Sequence, residues 1–253
     1  MKTNLCITLI ILLNTCVLIA QDNPKNMGVS DLANAVVMLY ERKNGQNESR
    51  GTGNIVSYHN KYLLITARHI AEQMSSTAKI VFMVPDSSAI EEDLIFLTSS
   101  IAGIPWIHHP LADISILEIA PFNDFQKDRF LSSSIKLDWV ASQKISFPIG
   151  TEALFFGFPM YVLNHYFSPI ALWCNTASKL ITHSDKVNYI YLDRPSIQSC
   201  SGSGVFITIR KGSFSRATYM VGIISATLSD DTGGKLAAVV PISYLKELLL
   251  TIR

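Results

Sequence analysis

Short runs of apolar and β-branched residues recur along the chain, separated by Gly, Asn, Ser and Asp. Ten stand out: residues 35–40 (AVVMLY), 53–58 (GNIVSY), 62–67 (YLLITA), 79–84 (KIVFMV), 113–120 (DISILEIA), 152–158 (EALFFGF), 189–193 (YIYLD), 204–210 (GVFITIR), 219–226 (YMVGIISA) and 237–242 (AAVVPI). Runs of this length between turn formers predict strands. So many of them, with few helix-period segments, predict an all-β sandwich or barrel architecture. The last stretch, residues 242–253 (ISYLKELLLTIR), spaces its apolar positions as one face of a helix and predicts a closing helix. A seam over residues 138–150 (DWVASQKISFPIG) divides the strands into an N-terminal and a C-terminal group. No internal repeat or low-complexity segment interrupts them.

The first twenty residues break this pattern. Lys2 precedes a nearly unbroken apolar run from Leu5 to Ala20, and polar QDNPKN follows. That is the layout of a secretory signal peptide with cleavage after Ala20, and it predicts an exported protein, secreted or periplasmic. The alternative, an uncleaved anchor, is disfavoured because the run is at the short end for a spanning helix. Removal takes one of the 21 basic residues and none of the 20 acidic ones, so the mature chain is neutral. The full chain of 253 residues, 48% hydrophobic and 16% charged, can bury one large core or two small ones. It offers no basic footprint for nucleic acid and no polybasic run for a membrane surface. Cys6 and Cys16 leave with the signal, so Cys174 and Cys200 allow at most one disulfide and no disulfide scaffold. No Cys or His spacing fits a metal site, no phosphate-cradling glycine loop is present, and no cofactor is expected.

Candidate chemistry starts at His69, placed one residue after an apolar strand where the chain turns. His59, His108, His109, His165 and His183 lie in polar or loop-like settings and read as solvated or structural. Asp113 opens a strand whose Ile114, Ile116 and Ile119 are apolar, so its carboxylate lies near the interior. There it can orient an imidazole and stabilise the imidazolium. Glu118 lies inside the same strand at a solvent-facing position. Ser201, followed by Gly202 just before a strand, has the tight turn that exposes a nucleophilic hydroxyl beside backbone N–H groups. Cys200 and Ser203 are the competing nucleophiles.

Six segments in order carry a resemblance. GTGNIVSYHNKYLLITARHIAE (residues 51–72), ADISILEIA (112–120), LFFGFP (154–159), SGSGVF (201–206), YMVGIIS (219–225) and AAVVPISYL (237–245) resemble the motifs of the trypsin-like serine peptidase superfamily. The similarity is greatest to HtrA-like bacterial trypsin domains, here without a PDZ-like domain expected after the closing helix. The resemblance implies two antiparallel six-stranded β-barrels with the active cleft between them. After the signal peptide (1–20) come a lead-in (21–32), a first barrel (33–145) with His69 and Asp113, and a second barrel (146–253) with Ser201 and the closing helix. It implies a Ser-His-Asp endopeptidase acting on protein or peptide substrates through an acyl-enzyme. The nucleophile motif that residues 201–206 resemble places Gly directly after the nucleophile and a second small residue beyond it, which favours Ser201 over Cys200 and Ser203. The backbone N–H groups of Ser199 and Ser201 would form the oxyanion hole, and Ser225, Ala226 and Thr227 would flank the first specificity pocket.

The chain departs from that pattern in informative places. The family has Gly where Ser199 stands, so a requirement for positive φ there would strain this chain. That motivates an alternative, a catalytically silent fold serving as a binding module. Cys200 stands where digestive relatives place an Asp, so activation by insertion of a new N-terminus is not expected. Near Pro195, six residues before Ser201, there is no acid to favour a basic P1 residue, although Asp193 and Arg194 are close in sequence. A small or aliphatic P1 is expected.

Overall fold

A computed structural model describes residues 28–43, 46–83, 89–100, 103–140, 146–158, 168–210 and 216–252. The signal-peptide segment, His165 and the middle of the 138–150 seam lie outside the described residues. Among the described residues, fifteen strands form two sheets. The first contains β1 (Val36–Lys43), β2 (Gln46–Tyr58), β3 (Lys61–Thr66), β4 (Lys79–Met83), β5 (Ala89–Asp93), β6 (Ile107–His108), β7 (Ser115–Ile119) and β8 (Ile135–Lys136). They pair in the order β5-β4-β1-β2-β3-β7-β6, with β8 on β2. The second contains β9 (Glu152–Gly157), β10 (Ile170–Asn175), β11 (Ile181–Thr182), β12 (Asn188–Leu192), β13 (Gly204–Arg210), β14 (Arg216–Ser229) and β15 (Lys235–Pro241), in the order β10-β9-β13-β14-β15-β12-β11.

All ten expected strands are present. The expectation of six per barrel matches the strands of five or more residues; the two-residue β6, β8 and β11 extend the sheets to eight and seven. Every pairing within them is antiparallel except β2 with β8. Five further strands lack a readable apolar pattern. β5 (AIEED) is acidic, and β10 (IALWCN) leaves Trp173 half exposed.

β7 is buried at nearly every position. In β7, Ser115, Ile116, Leu117 and Ile119 are buried while Glu118 reaches solvent and pairs with Lys61 at 2.9 Å. Helix α1 spans Val29–Asn34, α2 Arg68–Ala71, α3 Asp124–Ser133 and α4 Ser243–Leu249. The expected closing helix is α4, which buries Tyr244, Leu245, Leu248 and Leu249. Helix α3 was not legible: its sequence is mostly polar. Asn123 caps it by accepting from the Gln126 N–H at 2.8 Å, and it buries Phe130 against Tyr62 and Phe82.

The sheets are joined where β2 meets the turn before β13. The Thr52 N–H donates to Ser201 O at 2.8 Å. Asn54 Nδ2 donates to Gly202 O at 2.7 Å, and its Oδ1 accepts from the Gly204 N–H at 2.8 Å. Thr52 and Asn54 are both fully buried, so these bonds are made away from competing water.

Candidate active site

His69 stands on α2, directly beyond the buried end of β3. Its backbone N–H donates to Asp113 Oδ1 at 2.9 Å, and its ring Nδ1 lies 2.8 Å from Asp113 Oδ2. A carboxylate only accepts, so Nδ1 carries the proton and Nε2 keeps its lone pair. Asp113 Oδ2 also accepts from Ser225 Oγ at 2.6 Å. Burial pushes the Asp113 carboxyl upward. The hydrogen bonds from the His69 ring, from Ser225 and from the His69 backbone N–H outweigh it and hold the carboxyl below its ordinary value.

Ser201 lies across the same cleft, about 370 Å³ in volume. Its walls are His69, Ile70 and Gln73 from the first sheet's side, and Ser196–Ser199, Ser201, Ala226 and Thr227 from the second. Ser201 Oγ makes a long 3.4 Å bond to Ser225 O, and no hydrogen bond joins it to His69. Catalytic bonds are often loose in the absence of substrate. The Ser201 N–H has no hydrogen-bond partner among the described residues. Its peptide is fixed, because the carbonyl on its other side, Cys200 O, accepts from the Ser203 N–H at 2.9 Å.

Ser199 has φ 72°. The Cys200 N–H donates to Ile197 O at 3.0 Å, closing a turn with Gln198 and Ser199 at its centre. Gln198 has a negative φ and Ser199 a positive one, which is the sign pattern of a type II turn. For a non-glycine residue this left-handed conformation costs about 1–2 kcal/mol. The strain foreseen at Ser199 is therefore present, and the Thr52 hydroxyl holds the Ser199 carbonyl at 2.6 Å. Gly202 (φ 87°) needs glycine on two counts, since a Cβ there would also overlap Thr52 O and Thr66 Oγ1.

The competing nucleophiles are occupied elsewhere. Cys200 is fully buried, its thiol faces Gly157, and burial pushes it up to about 11. Cys174 is also a free thiol; burial and nearby Asp193 push it up to about 12. Ser203 is fully buried, accepting from the Phe156 N–H at 2.9 Å. Of the three residues expected around the specificity pocket, Ala226 and Thr227 line the cleft, whereas Ser225 is buried behind it with its hydroxyl on Asp113. Asp193 bonds Asn175, Arg194 bonds Trp173 O, and neither faces the cleft. No group of three or more potential metal ligands occurs among the described residues.

Sequence reasoning missed the supports of this site. Ser225 as a carboxylate donor, and Thr52 and Asn54 as anchors, depend on contacts between distant segments. The one local signal was two short polar side chains, at positions 52 and 54, on a single face of a strand. His109, read as loop-like, is buried with its ring at the centre of the turn that carries Asp113.

Two antiparallel sheets meeting along a cleft, with a histidine-aspartate pair on one and a serine turn on the other, form a chymotrypsin-like fold. Among solved structures, the chain is similar to the MamO protease domain from Magnetospirillum magneticum in its apo form. The TM-score is 0.58 at 12% identity, covering 86% of this chain and 96% of that one. No protein-family model and no curated protein matches the chain.

Proposed function

We propose that the protein is an exported serine endopeptidase in which Ser201 is the nucleophile, His69 the general base and Asp113 its orienting partner. The observation that carries this reading is the Asp113 carboxylate. It is held ionised by His69 and Ser225, and it orients an imidazole whose free nitrogen belongs to the same cleft as Ser201. His69 Nε2 takes the Ser201 proton as Oγ attacks the scissile carbonyl. The imidazolium then gives that proton to the leaving amine, and water hydrolyses the acyl-enzyme by the same route. The N–H of Ser201, joined by that of Ser199, receives the oxyanion.

A peptide substrate is favoured over a simple ester by the edge of β14. From Ala226 to Ser229 this strand is laddered, among the described residues, to β15 alone, which offers its other edge to an added strand beside the nucleophile. Substrate side chains next to the scissile bond meet a bridge within the second sheet's wall of the cleft: Ser196 Oγ lies 2.5 Å from Thr227 Oγ1, and Thr227 Oγ1 donates to Ser196 O at 3.3 Å. The bridge leaves room for a small P1, and no carboxylate lines the cleft to pair with a basic one.

A second reading, a silent fold acting as a binding module, draws on two features. Ser201 Oγ is turned toward Ser225 O, and Ser199 is strained. A serine-directed fluorophosphonate separates the two. Labelling of the exported protein at Ser201, abolished by Ser201→Ala and by His69→Ala, supports the peptidase. A folded protein that resists labelling, yet becomes reactive on Ser199→Gly, is the silent form. N-terminal sequencing of the exported protein tests processing, with Gln21 expected as the first residue.

A further inference from the structure

We propose that His109 is a positioning residue for Asp113, acting through the backbone of the turn between them. The inference rests on the peptidase reading given above. Asp113 lies between Ala112 and Ile114, and His109 grips both flanking residues. Its Nδ1 accepts from the Ala112 N–H at 2.9 Å and from the Leu111 N–H at 3.2 Å, while its own N–H donates to Ile114 O at 3.0 Å. The imidazole thus does what an Asn or Asp side chain does in an Asx turn, and satisfies N–H groups two and three residues ahead.

The ring is itself held from outside the turn. A nitrogen that accepts two N–H bonds carries no proton, so the proton is on Nε2, which lies 3.1 Å from Glu247 Oε2 on α4. Tyr244, one helical turn before Glu247, packs edge-on against the ring at 4.9 Å. The His109 carbonyl accepts from Arg68 Nη1 at 3.1 Å. Arg68 precedes His69, so helix α2 and the turn that face each other through the His69–Asp113 pair are also tied by their neighbours.

Ring burial separates this residue from an ordinary loop histidine. His109 is 3% exposed, although the Pro110 and Leu111 that follow it are exposed. Without its Nδ1 the N–H groups of Leu111 and Ala112 lose their acceptor, and the turn relaxes toward water. Asp113 then moves relative to His69. A displacement of about 1 Å at a triad member costs as much as about 10²-fold in rate.

The test uses His109→Phe, which keeps the edge-on packing with Tyr244 and removes both ring nitrogens. His109→Asn restores an acceptor for the turn and gives up the Glu247 bond. For His109→Phe, kcat on a peptide substrate is expected to fall about 10- to 100-fold with KM within about twofold, and His109→Asn is expected to recover most of that loss. The downfield proton resonance of the His69 Nδ1–H is expected to shift or broaden in the Phe variant and to return in the Asn variant. If the Phe variant does not fold, Arg68→Met replaces it. Its side chain is part-exposed, and a smaller loss of about 3- to 10-fold in kcat with the same spectral change is expected. An unchanged kcat and an unchanged resonance in a folded Phe or Met variant overturn the proposal, as does an Asn variant no better than the Phe variant. Failure of the peptidase reading is distinct, because wild-type protein then resists the fluorophosphonate while the resonance still reports on His109.

Discussion

Replacing Ser225 by Ala removes a single oxygen from the buried side of Asp113, and its consequence for stability is calculable with its sign. A hydrogen bond to an ionised group contributes about 1.5–3 kcal/mol. Asp113's side chain is 21% exposed, so partial screening favours the lower half, about 1.5–2 kcal/mol at neutral pH. At 1.36 kcal/mol per unit this moves the Asp113 titration up by roughly one unit or slightly more. In the fold Asp113 titrates below its ordinary value. Its share of stability is therefore fully present above the unfolded carboxylate pKa of about 4, and is lost as pH falls through the lower folded value. The difference between wild type and Ser225→Ala is thus greatest at neutral pH and shrinks as pH falls below the ordinary carboxylate value of about 4, as Asp113 takes up its proton first in the variant and then in wild type. Urea unfolding followed by tryptophan fluorescence, repeated from about pH 7 to about pH 3, measures it. The neutral-pH loss corresponds to about 3–8 °C in Tm. A loss under about 0.5 kcal/mol at neutral pH, or one of the same size at both ends of the range, would refute the reasoning, because the hydroxyl would not then be serving an ionised carboxylate.

Three further outcomes are expected. With their thiols pushed up to about 11 and about 12 by burial, Cys200 and Cys174 should react with iodoacetamide about 10² or more times slower in the folded protein than in urea. Rapid alkylation of folded Cys200, read by mass spectrometry, would return it to the list of nucleophiles. Gly157→Ala places a Cβ on Cys200 Sγ and should cost about 1–3 kcal/mol, with Cys200→Ala in the same chain recovering more than half; additive losses would show that the two do not compete for space. Peptides with Ala at P1 should be cleaved faster than those with Phe, and Thr227→Gly, which opens the bridge to Ser196, should shift the kcat/KM ratio toward Phe by about tenfold or more. A wild-type preference for Phe or Arg would count against the bridge as a limit on the pocket.

Legibility in the sequence followed the range of the interactions. Strands buried on both faces announce themselves by composition, as KYLLIT and GVFITIR do, because four consecutive buried positions in each call for a nearly unbroken apolar run. β5 and β10 lie at the ends of their sheets, where one flank is open and selection for apolar side chains is weak, and neither was found. The three candidate catalytic residues were readable because each stands at a junction between a strand and a turn with distinctive neighbours. Their supports were not: Ser225 reaches Asp113 across 112 positions, and His109 becomes buried only when α4 packs over it. Ser199 was an intermediate case. The sequence marked it as a serine in a glycine position, but the sign of φ depends on how the turn closes, and only the fold supplies that.

The bond from Asn54 to the Ser201 turn spans 150 positions of chain, and it bears on the order in which competence appears during folding. The second sheet contains Ser201 but not Thr52 or Asn54, so a C-terminal half folding ahead of its partner has the nucleophile's sequence without the groups that hold the carbonyls of Ser199, Ser201 and Gly202. The first sheet, folding alone, has His69 and Asp113 but no hydroxyl from Ser225. Neither half assembles the site, and the last docking event completes its nucleophile and its base together. On the peptidase reading proposed above, partly folded chains would thereby be kept from acting on one another while their unfolded segments are still exposed.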